Sequence, residues 1–159
     1  AGVRICWTAP KLDPYGLTNF FDSWCCAEMF ETLQRRRIPL AVSAEQVSLP
    51  EIHRVMNDFP QLRIILLDLS RLGRQPAVEA LLARHEELYL CFGPLFSVHG
   101  GYRSLVERYG RQRWIWGGNF PDSEGGSAVA GLLYSGLEPE ALLAVASGNL
   151  ERLLAEVRP

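Results

Sequence analysis

The sequence predicts an α/β fold in which parallel β-strands alternate with helices. Short runs of β-type residues begin near residues 2, 39, 62, 88 and 113, at nearly regular intervals. The longer segments between them show the 3.6-residue period of amphipathic helices. The run LRIILLDL at 62–69 is almost entirely apolar, which is typical of a strand covered on both faces. Together these patterns favour parallel strands joined by helical crossovers.

Each predicted element follows from its own pattern. The strands are expected at 2–7, 39–44, 62–69, 88–92 and 113–118. The helices are expected at about 17–37, from 48 onwards, and at 76–85, 101–109, 126–134, 138–147 and 149–157. The first helix has an apolar series made of Phe20, Phe21, Trp24, Ala27, Phe30 and Leu33. Ser48 is expected to cap the second helix, with Pro50 and Glu51 in its first turn. Trp114 and Trp116 alternate along the last strand and should pack together against flanking helices.

Two architectures fit this alternation in a single domain spanning residues 1–159. One is a partial TIM barrel, five consecutive units of a (β/α)8 fold that normally takes about 250 residues. The other is a five-stranded doubly wound sheet. In both, functional residues are expected at the carboxyl ends of the strands and in the loops that follow.

Composition restricts the function classes. The chain has 159 residues, of which 48% are hydrophobic and 21% charged, and its net charge is −2. Acidic and basic residues are interspersed, so neither nucleic acid nor an anionic membrane is an expected partner. The four cysteines lack C-x-x-C spacing, and we expect them to be buried free thiols in a reducing cytoplasm. No apolar run is long enough to cross a bilayer.

Four polar residues are candidates for a site, because they follow the apolar strands. They are Ser43, Asp68, His99 and Asn119. His53 falls within a helix and His85 at a helix end, and both are expected to be structural or exposed. The segment GGNFPDSEGG contains Asp122 and Glu124, which would repel phosphate, and no G-x-G-x-x-G or Walker A motif is present. A nucleotide-binding sheet is therefore disfavoured.

Six segments carry a resemblance to a known family. They are GVRI, IPLAVSAEQ, DFPQLRIILLDLSR, LYLCFGPL, RYGRQRWIWGGNFP and ASGNLERLL. In this order and spacing they resemble the C-terminal part of the amidohydrolase-related family. Its members are TIM-barrel metal-dependent hydrolases and decarboxylases, similar to aminocarboxymuconate-semialdehyde decarboxylase and to lactone hydrolases. The resemblance implies that the first strand here corresponds to the family's fourth strand and the last to its eighth.

The resemblance also implies a divalent metal such as zinc in active relatives, but the matching positions differ here. Ser43 stands where the family has a histidine on its fifth strand. Asp68 stands where a sixth-strand histidine is expected, or Leu69 does if the alignment slips by one residue. Asn119 replaces the eighth-strand aspartate, which binds metal and accepts a proton from water. The family's H-x-H pair lies outside this chain, and no cofactor is predicted for it.

Three functions remain open. The first is a degenerate member that keeps the barrel and has lost the metal chemistry. The second is a metal-independent hydrolase or lyase for small carboxylates or lactones. It would use Asp68 as acid/base, and Asn119 and Ser43 would donate hydrogen bonds to an oxyanion. The third is a non-catalytic binding or interaction module, with Cys25, Cys26 and the tryptophan-rich segments at its surface.

The chain begins AGVRI, without methionine and already within a predicted strand, as a fragment or a processed product would. Five strands of a barrel leave two open sheet edges. We therefore expect missing upstream strands, a rearranged sheet, or a homo-oligomer formed through the edges or the helices.

Overall fold

The computed structural model describes residues 5–7, 21–69, 75–93, 101–119, 121, 123 and 125–159. These residues form five strands: β1 Cys6–Trp7, β2 Leu40–Ser43, β3 Ile64–Leu67, β4 Leu88–Phe92 and β5 Trp114–Trp116. The helices are α1 Ser23–Arg36, α2 Leu49–Asp58, α3 Gln75–Arg84, α4 Gly101–Tyr109, α5 Gly125–Leu133, α6 Pro139–Leu143 and α7 Asn149–Ala155. A 3₁₀ turn at Arg111–Arg113 precedes β5, and a π-helical turn at Ala144–Gly148 joins α6 to α7.

The five strands lie side by side in chain order, and every neighbouring pair is parallel. A doubly wound sheet reverses its strand order at a switch point, so that helices cover both faces. The order β1-β2-β3-β4-β5 contains no reversal. The doubly wound alternative is therefore wrong, and the sheet has the topology of consecutive barrel units.

The large hydrophobic core lies between the sheet and the helices. Alternate strand residues such as Leu66, Leu90 and Trp114 pack there against the apolar faces of α1–α5. Trp114 is completely buried, and the indole Nε1 of Trp116 donates to the carbonyl of Ala128 in α5 at 3.1 Å. The prediction that both tryptophans pack on the helical side is confirmed.

The opposite face of the sheet, the concave face of a barrel, carries a smaller cluster. Its buried members are Ile65, Tyr89, Ile115 and Leu153. The first three come from β3, β4 and β5, whereas Leu153 comes from α7. The last helix thus packs against the concave side rather than joining the outer layer.

The start of α1 differs from the sequence prediction. The sequence predicts the helix from about Leu17, but residues 17–20, with Phe20, lie outside the described part of the chain. Phe21 and Asp22 are not helical, and the carboxylate of Asp22 caps the helix by accepting the N–H of Ser23 at 2.7 Å. The buried side of α1 is defined by Phe30 and Leu33. Because successive helical residues are rotated by about 100°, Trp24 lies well away from that stripe. It is 75% exposed, so its assignment to the apolar face is wrong. Cys25 is also exposed, so the expectation that it is a buried thiol is wrong.

The start of α2 agrees with the prediction. Ser48 and Glu51 form a reciprocal capping box, and Pro50 occupies the first turn. None of the helices in the described part of the chain is long and apolar enough to cross a membrane.

The C-terminal segment fastens the amino ends of the strands together. The side-chain amide of Asn149 is buried and donates to the carbonyls of Arg111 and Trp114, both at 2.7 Å. Further along, the carboxylate of Glu156 pairs with the guanidinium of Arg63, which is only 1% exposed and directly precedes β3. The segment therefore closes the end of the sheet opposite to the predicted site.

Candidate functional site

Two of the predicted site residues lie in contact. The hydroxyl of Ser43, the last residue of β2, donates a hydrogen bond of 2.7 Å to Oδ2 of Asp68, which directly follows β3. The register explains this contact, because Ser43 pairs with Leu67 and Asp68 is the next residue. Asp68, rather than Leu69, faces Ser43, since Leu69 is buried in the core beneath the helices.

The backbone at two of the predicted positions is unusual. Asp68 has φ 54° and Asn119 has φ 53°, both in the left-handed region that non-glycine residues rarely adopt. Asp and Asn are the residues that tolerate this region best, because their short polar side chains bond locally. Strained conformations of this kind cluster at functional sites. Both strand ends thus turn sharply at the same edge of the sheet.

Cys91 and Gly117 extend the site across β4 and β5. A Cβ atom placed on Gly117 would lie 2.9 Å from the sulfur of Cys91, closer than real contacts of this kind. Cys91 packs in the concave-side cluster with Tyr89, two residues before it on β4. Ser43, Asp68, Cys91 and Gly117 therefore form a row on the concave side, one residue from each of β2 to β5 or its end.

The thiol of Cys91 is held in its neutral form. Burial, with a further contribution from the negative charge of Asp68, raises the pKa of Cys91 to about 12. The thiolate, not the thiol, is the nucleophile and metal ligand. At neutral pH, Cys91 therefore serves this site as a small, weakly polar packing group.

Asn119 lies at the rim of this row. Its side chain is exposed and has no hydrogen-bond partner among the described residues. Its carbonyl accepts the N–H of Ser123 at 2.9 Å, and the hydroxyl of Ser123 donates to the carbonyl of Gly118 at 3.1 Å. Strands are ~4.8 Å apart, so β5 lies roughly 10 Å from β3 and a ligand could span Asn119 and Asp68.

His99, the fourth candidate, lies outside the described residues. The two other histidines contact one another: Nδ1 of His53 lies 2.8 Å from Nε2 of His85. This pair joins α2 to the turn before β4, away from the strand ends that carry Ser43 and Asp68. His85 is buried, and a structural role for this pair stays a prediction.

The residues present do not fit the metal of the family. Ser43 offers only a neutral hydroxyl, which already donates to Asp68, and Asn119 offers an amide oxygen without charge. Zinc prefers imidazole, thiolate or carboxylate ligands. Within the described ranges, no three His, Cys, Asp or Glu side chains are grouped so that they could hold a metal ion.

Sequence reasoning missed Cys91 and Gly117 as parts of the site. Cys91 lies on the concave side of β4 with Tyr89, and Gly117 directly follows β5, two residues after the concave-side Ile115. LYLCF and WIWGG show that successive side chains alternate between the two faces of the sheet. Which of the alternate residues face the concave side becomes known only with the sheet register.

Comparisons with known proteins agree with this architecture. The amidohydrolase family model matches residues 1–155. A search of curated proteins gives no match. The structure of an uncharacterised TIM-barrel protein from Bordetella bronchiseptica is similar to this chain, with 20% sequence identity and a TM-score of 0.69. The match covers 87% of this chain and 53% of that protein.

Two decarboxylases are also similar in structure. A dihydroxybenzoic acid decarboxylase from Polaromonas sp. JS666, solved with manganese and 2-nitroresorcinol, is 13% identical with a TM-score of 0.56, covering 89% of this chain and 55% of its own. A 2,6-dihydroxybenzoate decarboxylase from Rhizobium is 11% identical with a TM-score of 0.56, covering 89% of this chain and 56% of its own. This chain spans about half the length of these structures, which at such identities share its fold.

Proposed function

Because the chain belongs to the amidohydrolase family, we propose that it keeps a small-molecule site at the carboxyl ends of its strands and works there without the family's metal chemistry. The observation that carries this proposal is the hydrogen bond of 2.7 Å from Ser43 to Asp68. The family resemblance implies a histidine at each of these two positions. Here they hold a neutral donor, the hydroxyl of Ser43, and an anionic acceptor, the carboxylate of Asp68. Such a pair orients a polar ligand but provides no set of metal-binding imidazoles.

The charge at this site favours a neutral ligand. Asp68 forms no ion pair with any described residue, and its partner among them is the neutral hydroxyl of Ser43. No described cation therefore offsets its negative charge. Two like charges 4 Å apart repel by about 4 kcal/mol at an effective dielectric constant near 20. In a relative that holds a dication, the metal charge would offset a substrate carboxylate. Without it, we propose a lactone, or a similar neutral oxygen compound, as the preferred ligand class.

A matched pair of ligands tests this preference. An aromatic lactone and its ring-opened hydroxycarboxylate differ mainly in charge, and their affinities can be compared by calorimetry in the presence of a chelator. We expect the lactone to bind at least ~10-fold more tightly, which corresponds to about 1.4 kcal/mol. Asp68→Asn should reduce this difference, whereas Glu86→Gln, at an exposed carboxylate before β4, should preserve it.

Two results would contradict the proposed site. One is equal or tighter binding of the hydroxycarboxylate by the unaltered protein. The other is a lactone affinity that is unchanged in both Ser43→Ala and Asp68→Asn, because a ligand bound between these strand ends must sense at least one of them.

A second candidate function is acid/base catalysis by Asp68 on the same ligands. The left-handed backbone at Asp68, with φ 54°, is the specific observation in its favour, since strain of this kind persists where the surrounding structure fixes a side chain for a task. Asp68 would deprotonate a water molecule that attacks the lactone carbonyl, and Ser43 would hold the carboxylate in position.

Lactone hydrolysis separates the two functions. If Asp68 is the base, Asp68→Asn should lower kcat by 10²-fold or more while the lactone still binds. A rate that is the same in the unaltered protein, in Asp68→Asn and in buffer alone would leave ligand binding as the function of the site.

A further inference from the structure

Two thiols lie side by side on α1, outside the site described above. Cys25 is exposed, Cys26 is partly buried, and neither is in a disulfide. Their sulfur atoms are 3.6 Å apart. Cys26 packs against the core between the sheet and the helices, whereas the thiol of Cys25 donates to the carbonyl of Asp22 at 3.4 Å.

The first turn of α1 is anchored to α2. The hydroxyl of Ser23 donates to the carboxylate of Asp58, and Arg54 pairs with Asp22 at 3.6 Å. These contacts join the first turn of α1 to α2, and the helical backbone holds the two thiols side by side. A ligand that needs two sulfur atoms therefore meets them already positioned, which lowers the entropy lost on binding.

The separation of the sulfur atoms suits one shared soft atom. With bonds to sulfur of about 2.3 Å, an atom bound to both thiols at this separation would have an S–X–S angle of roughly 100°. A disulfide between the same residues is disfavoured, because consecutive Cα atoms are ~3.8 Å apart and disulfides usually need at least about 4.4 Å. The helix thus favours capture of a third atom over direct S–S bonding.

Burial also affects the reactivity of Cys26. Burial raises the pKa of Cys26, and the hydrogen bond with Cys25 adds to the effect. Attack by Cys26 alone on a monofunctional reagent is therefore slow at neutral pH, since it needs the thiolate. A reagent that first bonds to Cys25 is then held beside Cys26, so the second bond forms within the same molecule and the slow attack matters less.

We propose that Cys25 and Cys26 form a vicinal dithiol site that binds soft thiophilic ligands of the trivalent organoarsenical class through both sulfur atoms. With phenylarsine oxide, two As–S bonds form and the arsenic–oxygen bond breaks. Both thiol protons leave on that oxygen as water. Arsenic remains trivalent, so the step needs no oxidant or reductant.

Intact-mass spectrometry after gel filtration tests the site, with phenylarsine oxide added to the reduced protein at one equivalent. We expect one adduct per chain, with the mass of the reagent less one water. It should resist excess 2-mercaptoethanol and be removed by 1,2-ethanedithiol. Because the second bond forms within the same molecule, Cys25→Ser and Cys26→Ser should each weaken binding ~100-fold or more.

Cys6→Ser and Cys91→Ser are the matched controls and should bind like the unaltered protein. Cys6 is the more stringent one, because it packs against the same core as Cys26. An adduct that persists in Cys25→Ser, or that disappears in Cys6→Ser, would overturn the proposal. Circular dichroism checks the fold of each variant. If Cys26→Ser does not fold, the Cys25→Ser variant tests the proposal alone, because Cys25 is exposed and its substitution leaves the core intact.

Discussion

At the scale of single residues, the candidate site could be predicted in part. The apolar strands of the sequence identified Ser43 and Asp68 because each follows a buried run, and the structure joins them through a hydrogen bond of 2.7 Å. The left-handed backbone at Asp68 and Asn119 could not be predicted. Neither residue is a glycine, and the local sequence contains no signal that forces a positive φ.

Gly117 gives the first prediction at this scale. Gly117→Ala would place a Cβ atom 2.9 Å from the sulfur of Cys91. The overpacking should lower the free energy of unfolding by about 1–3 kcal/mol, as measured by urea denaturation. Gly126→Ala is the matched control. Among the described residues, nothing beyond its chain neighbours and its own helix backbone lies within 4 Å of the added Cβ, and alanine favours the helix there.

The same prediction can be refuted with a double substitution. Removal of the sulfur in Cys91→Ala should recover most of the stability that Gly117→Ala loses. If the two substitutions destabilise the protein additively, the contact between Gly117 and Cys91 does not explain the need for glycine.

His85 gives the second prediction. Burial lowers its pKa, and the neighbouring His53, Arg113 and Arg84 lower it further. The folded protein therefore binds this proton less readily than the unfolded chain, whose histidine has a pKa near 6.5. The contribution of His85 to the free energy of unfolding should be fully present above that pH. It should fall as the pH drops below it, since the unfolded chain then gains the proton more readily than the folded protein.

Urea denaturation at pH 7.5 and pH 5.5 measures this effect. His85→Gln should lose less stability than the unaltered protein between these pH values, because it removes the titrating group. The slope attributable to one proton cannot exceed about 1.4 kcal/mol per pH unit. Identical losses in both proteins would assign the acid sensitivity to other groups.

At the scale of elements, the periodic segments were predicted well. The capping box at Ser48 and Glu51 formed as its residues indicate, because its two hydrogen bonds are local. The apolar period predicts a start of α1 near Leu17, which is too early, since the helix begins at Ser23. The same period includes Phe21 in the apolar face of the helix, but Asp22, the next residue, is the N-cap. A cap decides a helix boundary through one side chain, and periodicity in the adjacent residues can hide it.

Asn149 gives the prediction for the C-terminal elements. Its buried amide donates to the carbonyls of Arg111 and Trp114 and so joins the start of α7 to β5. Asn149→Ala should lower the free energy of unfolding by about 2–3 kcal/mol, because two carbonyls lose their donor. Asn57→Ala, at an exposed position of α2, should change it by less than about 0.5 kcal/mol. Equal effects of the two substitutions would show that the amide does not fasten α7.

At the scale of the whole molecule, the alternation of strands and helices predicted the α/β class but left two topologies open. The strand order resolved them, since five parallel strands in chain order match consecutive units of a barrel. Strand order depends on contacts between distant segments, which local periodicity does not encode. The position of α7 against the concave side could not be predicted for the same reason.

The same scale explains why the fold of this protein does not by itself determine its chemistry. The amidohydrolase family model covers residues 1–155, and solved decarboxylases share the fold. The strand ends nevertheless present a hydroxyl, a carboxylate and an amide at Ser43, Asp68 and Asn119. A barrel positions whatever side chains its strands end on, so the architecture can persist after the ligand set has changed.

Metal binding tests the central claim most directly. The purified protein can be dialysed against micromolar zinc or manganese, and the metal retained can be measured by mass spectrometry beside Asp68→Asn and Asn119→Ala. The account predicts no metal held at the strand ends, so the three proteins should retain the same amount. One equivalent retained by the unaltered protein and lost in either variant would contradict it.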